Sequence, residues 1–196
     1  MMTVEEAATM LNAHWYGDDL VFSDVSTDSR QIKAGDLFVA LSGDRFDGHD
    51  YISDTIKHGA VAALVSRNIA NIKSPQRFGW IQVADTRSAL GQLASRWRDR
   101  FSLPLVAVTG SNGKTTVKEM IASIFTKAVL HQLNSEIGSP IDKVLATIGN
   151  LNNDIGVPLT LLKLRQQHAY AVVEMGMNHA GEIAYLTRLA KPDIAV

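Results

Sequence analysis

The chain has 196 residues, of which 46% are hydrophobic and 20% charged, and its formal net charge is -1 at pH 7. This composition is typical of a globular protein and excludes an intrinsically disordered chain. The small net charge and the scattered Lys and Arg residues argue against nucleic acid or an anionic membrane as a partner. The sequence has no cysteine, which excludes disulfides, thiolate metal sites and a cysteine nucleophile.

The first residues of the chain carry acidic side chains where a signal peptide needs positive charge. No apolar run approaches the roughly 18 residues that a membrane-spanning helix requires. We therefore expect a soluble, cytoplasmic protein without membrane insertion.

Residues 1–84 predict a small α/β module. Thr3 and Glu6 form a capping box before a short helix with apolar residues at helical spacing. A second helix is predicted at 51–60, where Gly59 ends it. A buried strand is predicted for the segment DLFVAL at 36–41, and two further strands are predicted for VAALVS at 61–66 and WIQVAD at 80–85.

Two loops of this module are rich in hydrogen-bond donors. They are TDSR at 27–30 and DRFDGHD at 44–50. Such loops suit phosphate groups or sugar hydroxyls, although solvated turns would have much the same composition.

From Thr86 onward, helix and strand character alternates, which predicts a mainly parallel sheet with helices on both faces. One helical face collects the apolar residues Leu90, Leu93, Ala94, Trp97 and Phe101. A buried strand at 103–110 leads into a long helix, and its predicted inner face consists of Val117, Met120, Ile121, Ile124 and Phe125. The fold class is thus α/β, with one domain at 1–84 and another at 85–196.

The chain ends on DIAV, an apolar strand that no helix follows. A parallel sheet that stops in this way looks unfinished, so we expect the second domain to be a fragment of a longer one. The alternative is a natural C-terminal strand at the edge of the sheet.

The segment VAVTGSNGKTT at 106–116 predicts a phosphate-binding loop between a buried strand and a helix. Gly110 and Gly113 let the backbone turn around a phosphate, and the exposed N–H groups then point at negative charge. Lys114 supplies a positive charge for the outer phosphates, and the hydroxyl of Thr115 is a ligand for Mg²⁺. The pattern lacks the first glycine of the usual loop, because Val108 stands there. A tight glycine turn beside a surface lysine is the alternative.

Other polar residues follow predicted strands or precede helices. Glu174 ends the apolar segment AYAVVE and is a candidate Mg²⁺ ligand, or else a solvent-exposed strand-end glutamate. The segment GNLNNDIG contributes Asn150, Asn152 and Asn153, which are ligand candidates or helix caps. Asn178 and His179 come shortly after Glu174, and only that position distinguishes His179 from a structural histidine.

These motifs resemble those of the Mur ligase family, whose ATP loop also lacks the early glycine. VTGSNGKTTVKEM, GNLNNDIGVPLTLL and VVEMGMNHAGEI carry the resemblance in the second domain, and DSR, GDLFVAL and GDRFDGHDY carry it in the first. The resemblance covers essentially the whole chain. It implies a small N-terminal α/β domain that binds UDP, followed by an incomplete P-loop central domain with a mainly parallel sheet.

The resemblance also implies an activity in peptidoglycan synthesis. It is closest to the members that use ATP and Mg²⁺ to join D-alanyl-D-alanine to UDP-N-acetylmuramoyl-tripeptide through an acyl phosphate. Family members continue with a carbamoylated lysine and with a C-terminal domain that is absent from these residues. We therefore expect this chain, a monomer, to bind ligands without catalysing ligation alone.

Roles for individual residues follow from the resemblance. It assigns the ATP phosphates to Gly110, Ser111, Asn112, Gly113, Lys114, Thr115 and Thr116. It assigns catalysis to Lys114, Glu174 and His179, and the metal to Thr115 and Glu174. It assigns the substrate to Ser29, Arg30, Asp47, Gly48, His49, Asn150, Asn152, Asn153 and Asn178.

Other functions remain open at this level. Within the same class, the alternatives are another amino-acid ligase of the Mur family and a folylpolyglutamate synthetase. The N-terminal module disfavours the folylpolyglutamate synthetase. From a different class, a nucleotide-binding module without ligase activity is the alternative. A GTPase switch is disfavoured because neither D-x-x-G nor N-K-x-D occurs in the sequence.

Overall fold

Thr3 is the N-cap of the first helix of the chain, α1 (Val4–Leu11), as the sequence predicts. The Thr3 hydroxyl accepts the Glu6 N–H at 3.1 Å, and the Glu6 carboxylate accepts the Thr3 N–H at 3.0 Å, which confirms the capping box. The helix buries its apolar residues Val4, Ala7, Ala8 and Leu11. The cap therefore fixes where the helix starts, and the apolar spacing fixes which face packs.

The computed structural model describes residues 1–44, 46–72, 77–132 and 140–196. The chain divides into two compact units, Met1–Leu93 and Ala94–Val196. Arg45 of the predicted DRFDGHD loop lies outside the described residues.

A five-stranded sheet forms the centre of the first unit. The strands of this unit are β1 (Met2–Thr3), β2 (His14–Gly17), β3 (Val21–Phe22), β4 (Asp24–Ser26), β5 (Asp36–Val39), β6 (Ser42–Gly43), β7 (Phe46–Asp47), β8 (Ala62–Val65) and β9 (Gly79–Gln82). The sheet has the order β2-β9-β8-β5-β4, with β2 antiparallel to β9 and the other neighbours parallel. The pairs β1/β3 and β6/β7 are antiparallel and separate from it. The three predicted strands are confirmed as β5, β8 and β9.

Burial explains why β5 and β8 lie inside this sheet, since every residue of both strands is buried. Parallel strands covered on both faces are continuously apolar. The helix α2 (Ile52–Lys57) packs Ile52 and Ile56 into the same core. Gly59 follows it with φ +100°, and a Cβ there would lie 2.8 Å from the Ala34 Cα, so the position requires glycine.

The helix α3 (Thr86–Arg98) confirms the predicted helix after 85. In the first unit, the Thr86 hydroxyl donates to the Ala40 carbonyl at 2.9 Å and Leu90 is fully buried. In the second unit, the indole N–H of Trp97 donates to the Leu164 carbonyl at 3.1 Å. All five apolar residues predicted on this face are buried.

The second unit contains a four-stranded, wholly parallel sheet. Its strands are β10 (Leu105–Val108), β11 (Val144–Ala146), β12 (Tyr170–Glu174) and β13 (Ile194–Ala195), in the order β11-β12-β10-β13. Its remaining helices are α4 (Lys114–Gln132), α5 (Gly156–Leu161) and α6 (Glu182–Ala190). The prediction of a mainly parallel sheet is confirmed. Within the described ranges, no helix is long and apolar enough to cross a membrane.

The inner face of α4 differs from the prediction in part. Val117, Ile121 and Phe125 pack against the buried core of the sheet, as expected. Met120 and Ile124 are 60% and 62% exposed, so their assignment to this face was wrong. Each lies one residue before a packed position, which is about 100° around the helix. An apolar pattern with spacings of three and four fits more than one face, and only packing against the sheet selects between them.

Candidate functional site

The phosphate-type loop lies between β10 and α4, as predicted. Gly110 has φ +140° and Gly113 has φ +78°, both in the region that favours glycine. The helix α4 begins at Lys114, and the Val117 N–H already donates to the Gly113 carbonyl at 2.9 Å. The loop residues Gly110, Ser111, Asn112, Gly113, Thr115 and Thr116 are exposed. The N–H groups of this helix end are thus accessible to an anion.

Lys114 closes over this loop. Its Nζ donates to the Gly110 carbonyl at 2.7 Å, so the ammonium lies against the first glycine of the loop. The side chain is only partly buried, which leaves its other N–H groups able to meet a ligand. A mobile ammonium beside exposed backbone N–H groups is suited to phosphate oxygens.

Glu174 stands beside the loop because β12 pairs with β10. The register sets Glu174 opposite Val108, one residue before Thr109 and the loop. The Glu174 carboxylate is buried, with 2% of the residue exposed, and accepts the Thr115 hydroxyl at 2.9 Å. Its predicted place at the end of a neighbouring strand is confirmed, but it is not the solvent-exposed glutamate of the alternative.

Asn152 completes the surroundings of this carboxylate. The Asn152 side-chain amide donates to the second Glu174 carboxylate oxygen at 2.8 Å, and the Asn152 main-chain carbonyl accepts the Gly176 N–H at 2.7 Å. A Cβ on Gly176 would lie 2.9 Å from the Asn152 Oδ1, so glycine leaves room for the amide. Of the asparagine cluster, the structure brings Asn152 to Glu174.

The other members of that cluster have structural contacts. The Asn153 side chain accepts the N–H groups of Ile155 at 3.1 Å and Gly156 at 2.8 Å, at the start of α5. This is the helix capping that the sequence left open beside a ligand role. Asn150 is exposed, and its carbonyl accepts the Asn152 N–H at 2.8 Å.

Thr115 and Glu174 fit the donor set of a Mg²⁺ site. A hydroxyl and a carboxylate supply the hard oxygen ligands that this ion prefers, and they lie within hydrogen-bond distance of each other. Among the described residues, no group of three or more His, Cys, Asp and Glu side chains could hold a metal. Mg²⁺ at nucleotide sites keeps waters and binds phosphate oxygens, so one or two protein ligands suffice.

Asn178 and His179 are held by Glu182 at the beginning of α6. The Glu182 carboxylate accepts the N–H groups of Asn178 at 2.6 Å and His179 at 3.1 Å, and it meets the His179 ring Nδ1 at 3.3 Å. The Asn178 N–H, followed by that of His179, lowers the pKa of Glu182. The His179 side chain is 83% exposed, so it is accessible to a ligand.

In the first unit, Ser29 and Arg30 line a groove of about 500 Å³ with the aromatic rings of Phe46 and Tyr51. The Arg30 guanidinium bonds Asp28 through two nitrogens, Nε at 2.9 Å and Nη2 at 2.8 Å. The Arg30 side chain, and then its main-chain N–H, hold the pKa of Asp28 at about 2. The Arg30 side chain is 86% exposed, and with the two rings it offers a charge and flat apolar faces to a ligand.

Asp47, Gly48 and His49 do not line this groove; their contacts stabilise the segment beside it. The buried His49 ring meets the Asp47 carboxylate at Nδ1, at 2.5 Å, and accepts the Ser66 N–H at Nε2, at 2.9 Å. Both ring nitrogens therefore have protein partners. A Cβ on Gly48 would lie 2.8 Å from the Leu41 carbonyl oxygen.

Sequence reasoning missed the residues that support the two sites. Lys118 and Thr147 are buried and connect to Glu174, and Phe46 and Tyr51 form the aromatic wall of the groove. A signal existed for Thr147, which directly follows β11 as a polar strand-end residue. Lys118 is a charged residue beside the apolar positions of α4, but no sequence pattern shows that such a lysine is buried.

Two models of known protein families match the chain. Residues 21–98 match the model described as the Mur ligase family, catalytic domain, and residues 108–196 match the Mur ligase middle domain. The two matches lie one after the other and together span most of the chain.

Curated relatives carry the name UDP-N-acetylmuramoyl-tripeptide--D-alanyl-D-alanine ligase. The chain is 42% identical to that of Haemophilus influenzae over 196 residues and 44% identical to that of Escherichia coli over 195 residues. Both matches cover 100% of this chain, but only 40% and 39% of the relatives. The chain thus spans about two fifths of their length.

Solved structures agree with these matches. MurF from Acinetobacter baumannii superposes with a TM-score of 0.82 at 38% identity, over 99% of this chain and 40% of that one. MurF ligase from Thermotoga maritima, solved in complex with ADP, gives a TM-score of 0.67 at 33% identity, over 90% of this chain and 37% of that one.

Proposed function

Because the chain belongs to the Mur ligase family, of which it carries the N-terminal and middle domains, we propose that it is part of an ATP-dependent amide ligase. The reaction we propose joins D-alanyl-D-alanine to UDP-N-acetylmuramoyl-tripeptide in peptidoglycan synthesis. The observation that carries the proposal is the contact between Thr115, in the loop before α4, and the buried Glu174. This pair brings a hydroxyl and a carboxylate together beside the exposed loop before α4, where they would serve as oxygen ligands of a metal.

The proposed ligand of the loop is the triphosphate of ATP. The exposed loop N–H groups and Lys114 would hold its phosphates, and Thr115 and Glu174 would hold Mg²⁺. The ion would supply charge neutralisation for the phosphate oxygens. The ADP complex of the Thermotoga maritima relative supports an adenine nucleotide as the ligand.

In the proposed reaction, a carboxylate oxygen of the tripeptide bonds the γ-phosphorus while the bond from that phosphorus to ADP breaks. The dipeptide amine then attacks the resulting acyl phosphate, loses a proton and displaces inorganic phosphate. The residues of this chain contribute positioning and charge neutralisation, which account for most of the catalysis in phosphoryl transfer.

The UDP end of the substrate is assigned to the first domain, 1–84, and ATP to the second, 85–196. Ser29 and Arg30 are proposed to bind it, because both line the aromatic groove. Asp47, Gly48 and His49 are proposed to act indirectly, by stabilising the adjacent segment. Asn152 and the exposed His179 side chain are candidates for contacts at the reacting end. We also propose the cytoplasm as the location and a monomer as the acting form.

The test is nucleotide binding measured by titration calorimetry. Wild-type chain is expected to bind Mg-ATP, and Lys114→Ala to weaken binding by about tenfold or more, since a charge-assisted contact to phosphate is lost. The matched control is Lys127→Ala, because Lys127 is an exposed lysine further along α4. Equal affinities in all three proteins would contradict the proposed loop function.

The chain alone is expected to bind these ligands without turnover, since it spans about 40% of the relatives' length. Phosphate release would be measured with Mg-ATP, UDP-N-acetylmuramoyl-tripeptide and D-alanyl-D-alanine together. Formation of the amide product by the 196-residue chain would show this expectation to be wrong.

A further inference from the structure

Three polar residues are buried side by side at the carboxyl end of the second sheet. Lys118 on α4 and Thr147 after β11 are 1% exposed, and Glu174 at the end of β12 is 2% exposed. Polar groups are rarely removed from water so completely unless hydrogen bonds replace the lost solvation.

Hydrogen bonds connect the three residues in a chain. The Lys118 ammonium donates to the Thr147 carbonyl at 2.8 Å. The Thr147 hydroxyl accepts the Glu174 N–H at 2.9 Å, and the Thr147 N–H donates to the Val172 carbonyl at 3.1 Å. The Glu174 carboxylate then reaches Thr115, which lies three residues before Lys118. The connections therefore start and end on the first turns of α4.

The position of Lys118 on the helix is unusual for a lysine. Among the side chains of α4 that the structure describes, only Lys118 and Val129 are buried. They are 11 residues apart, which is about three turns, so they lie on the same face. An apolar side chain would fill this position without the cost of burying a charge. The Lys118 ammonium also donates to the Glu119 carboxylate, whose side chain is 65% exposed.

We propose that Lys118 is a positioning residue, which through Thr147 sets the Glu174 carboxylate against Thr115 for the metal-nucleotide site. The inference rests on the proposed nucleotide-binding function. Lys118 fixes the main chain of Thr147, Thr147 fixes the main chain of Glu174, and Asn152 and Thr115 fix its carboxylate. The two acceptors of the Lys118 ammonium, on Thr147 and Glu119, lie outside the exposed loop.

This arrangement separates two contributions to nucleotide affinity. The loop N–H groups and Lys114 bind phosphate without Glu174. The additional affinity that Mg²⁺ provides depends on Glu174 and Thr115, whose arrangement Lys118 supports. Loss of Lys118 therefore reduces the gain in ATP affinity that Mg²⁺ produces, and leaves metal-free binding close to that of the wild type.

The experiment measures ATP dissociation constants by calorimetry in EDTA and in Mg²⁺. The quantity compared between variants is the ratio of the constant in EDTA to the constant in Mg²⁺, which gives the gain in affinity that Mg²⁺ produces. Lys118→Met keeps the length of the side chain and removes the charge, and Thr147→Val removes the hydroxyl acceptor. Both are expected to reduce the ratio by about tenfold, since a misplaced ligand of a metal typically costs that much. Thr147→Ser keeps the hydroxyl and is expected to retain the ratio.

The matched control is Val129→Ala, which shortens the other buried side chain on the same face of α4. It destabilises the helix packing about three turns away from Lys118, so a ratio reduced in this variant as well would overturn the positioning role. An unchanged ratio in Lys118→Met and Thr147→Val, measured on folded protein, would also overturn it.

Amide hydrogen exchange distinguishes this inference from the proposed function. In the free chain, Lys118→Met is expected to speed exchange of the Glu174 N–H by about tenfold relative to Val129→Ala, since the bond to Thr147 is weakened. Wild-type chain that binds no ATP would reject the proposed nucleotide function, and with it a metal-nucleotide role for Lys118. Unchanged Glu174 exchange would reject the link itself, whether or not ATP binds.

Discussion

Asp47 shows how one carboxylate organises a segment of the first unit. It accepts the His49 N–H at 3.0 Å, meets the His49 ring and the Ser42 hydroxyl, and pairs with Arg67. Burial alone would raise the pKa of Asp47, but the bonds from the His49 main chain and ring and from Ser42 outweigh it and lower the pKa to about 2. The charged form is thus favoured in the folded state.

A pH dependence follows from this depressed pKa. The stabilisation by Asp47 is complete above the unfolded pKa of about 4 and is lost as the pH falls through about 2. Asp47→Asn should lower the free energy of unfolding by about 1 kcal/mol at neutral pH, a value discounted because the side chain is partly exposed. The difference from wild type should shrink between about pH 4 and about pH 2.

Urea unfolding across that pH range measures the effect. The matched control is Asp54→Asn, which removes an exposed carboxylate paired with Lys57 on α2 and should have little effect. A difference for Asp47→Asn that grows as the pH falls would show that the sign of the effect is wrong.

At the scale of an element, the capping box decides where α1 begins. Thr3→Ala removes the hydroxyl that accepts the Glu6 N–H, and should cost about 1 kcal/mol of stability. Thr9→Ala makes the same substitution within the helix at an exposed position, where alanine is the better helix former. Thermal unfolding of the two variants should separate them, and equal losses would contradict the role of the cap.

The short turn before α2 contains Gly48, and the atoms around this position leave no space for a side chain. In Gly48→Ala the new Cβ would lie 2.8 Å and 2.9 Å from the Leu41 carbonyl oxygen and nitrogen, both main-chain atoms that move little. We expect a loss of about 1–3 kcal/mol from this overpacking. Gly43→Ala is the control, because no described atom lies within 4 Å of its Cβ position. A Gly48→Ala variant as stable as Gly43→Ala would rule out the steric argument.

Across the molecule, local signals in the sequence predicted most elements. The capping box, the apolar strands and the helical face with Leu90 and Trp97 each involve residues close in sequence. The edge strand β2 was missed because His14–Gly17 is largely exposed and only its antiparallel pairing with β9 makes it a strand. The Lys118–Thr147 contact joins residues 29 positions apart. Such a contact depends on tertiary packing, which one sequence does not reveal.

The candidate site divides in the same way. The loop and Glu174 were predictable, since parallel strands bring their carboxyl ends to one edge of the sheet. Asn152 was predicted only as a member of a cluster, and its selection over Asn150 and Asn153 required the geometry around Glu174. In the first unit, the string GDRFDGHD indicated a site, but it did not separate the groove residue Phe46 from the structural residue His49.

The two units should respond to different ligands. Mg-ATP is expected to slow amide exchange around Lys114 and Glu174, and UDP-N-acetylmuramoyl-tripeptide to slow it around Arg30. Each ligand at about 100 times its dissociation constant stabilises its site by about 2.7 kcal/mol, which exchange detects readily. Lys114 donates to Gly110 and Arg30 to Asp28, so the two side chains bond different partners. Lys114→Ala should therefore abolish only the first response, and Arg30→Ala only the second. Loss of both responses in either variant would mean that the two sites bind as one unit, and the assignment of ATP and UDP to separate domains would be wrong.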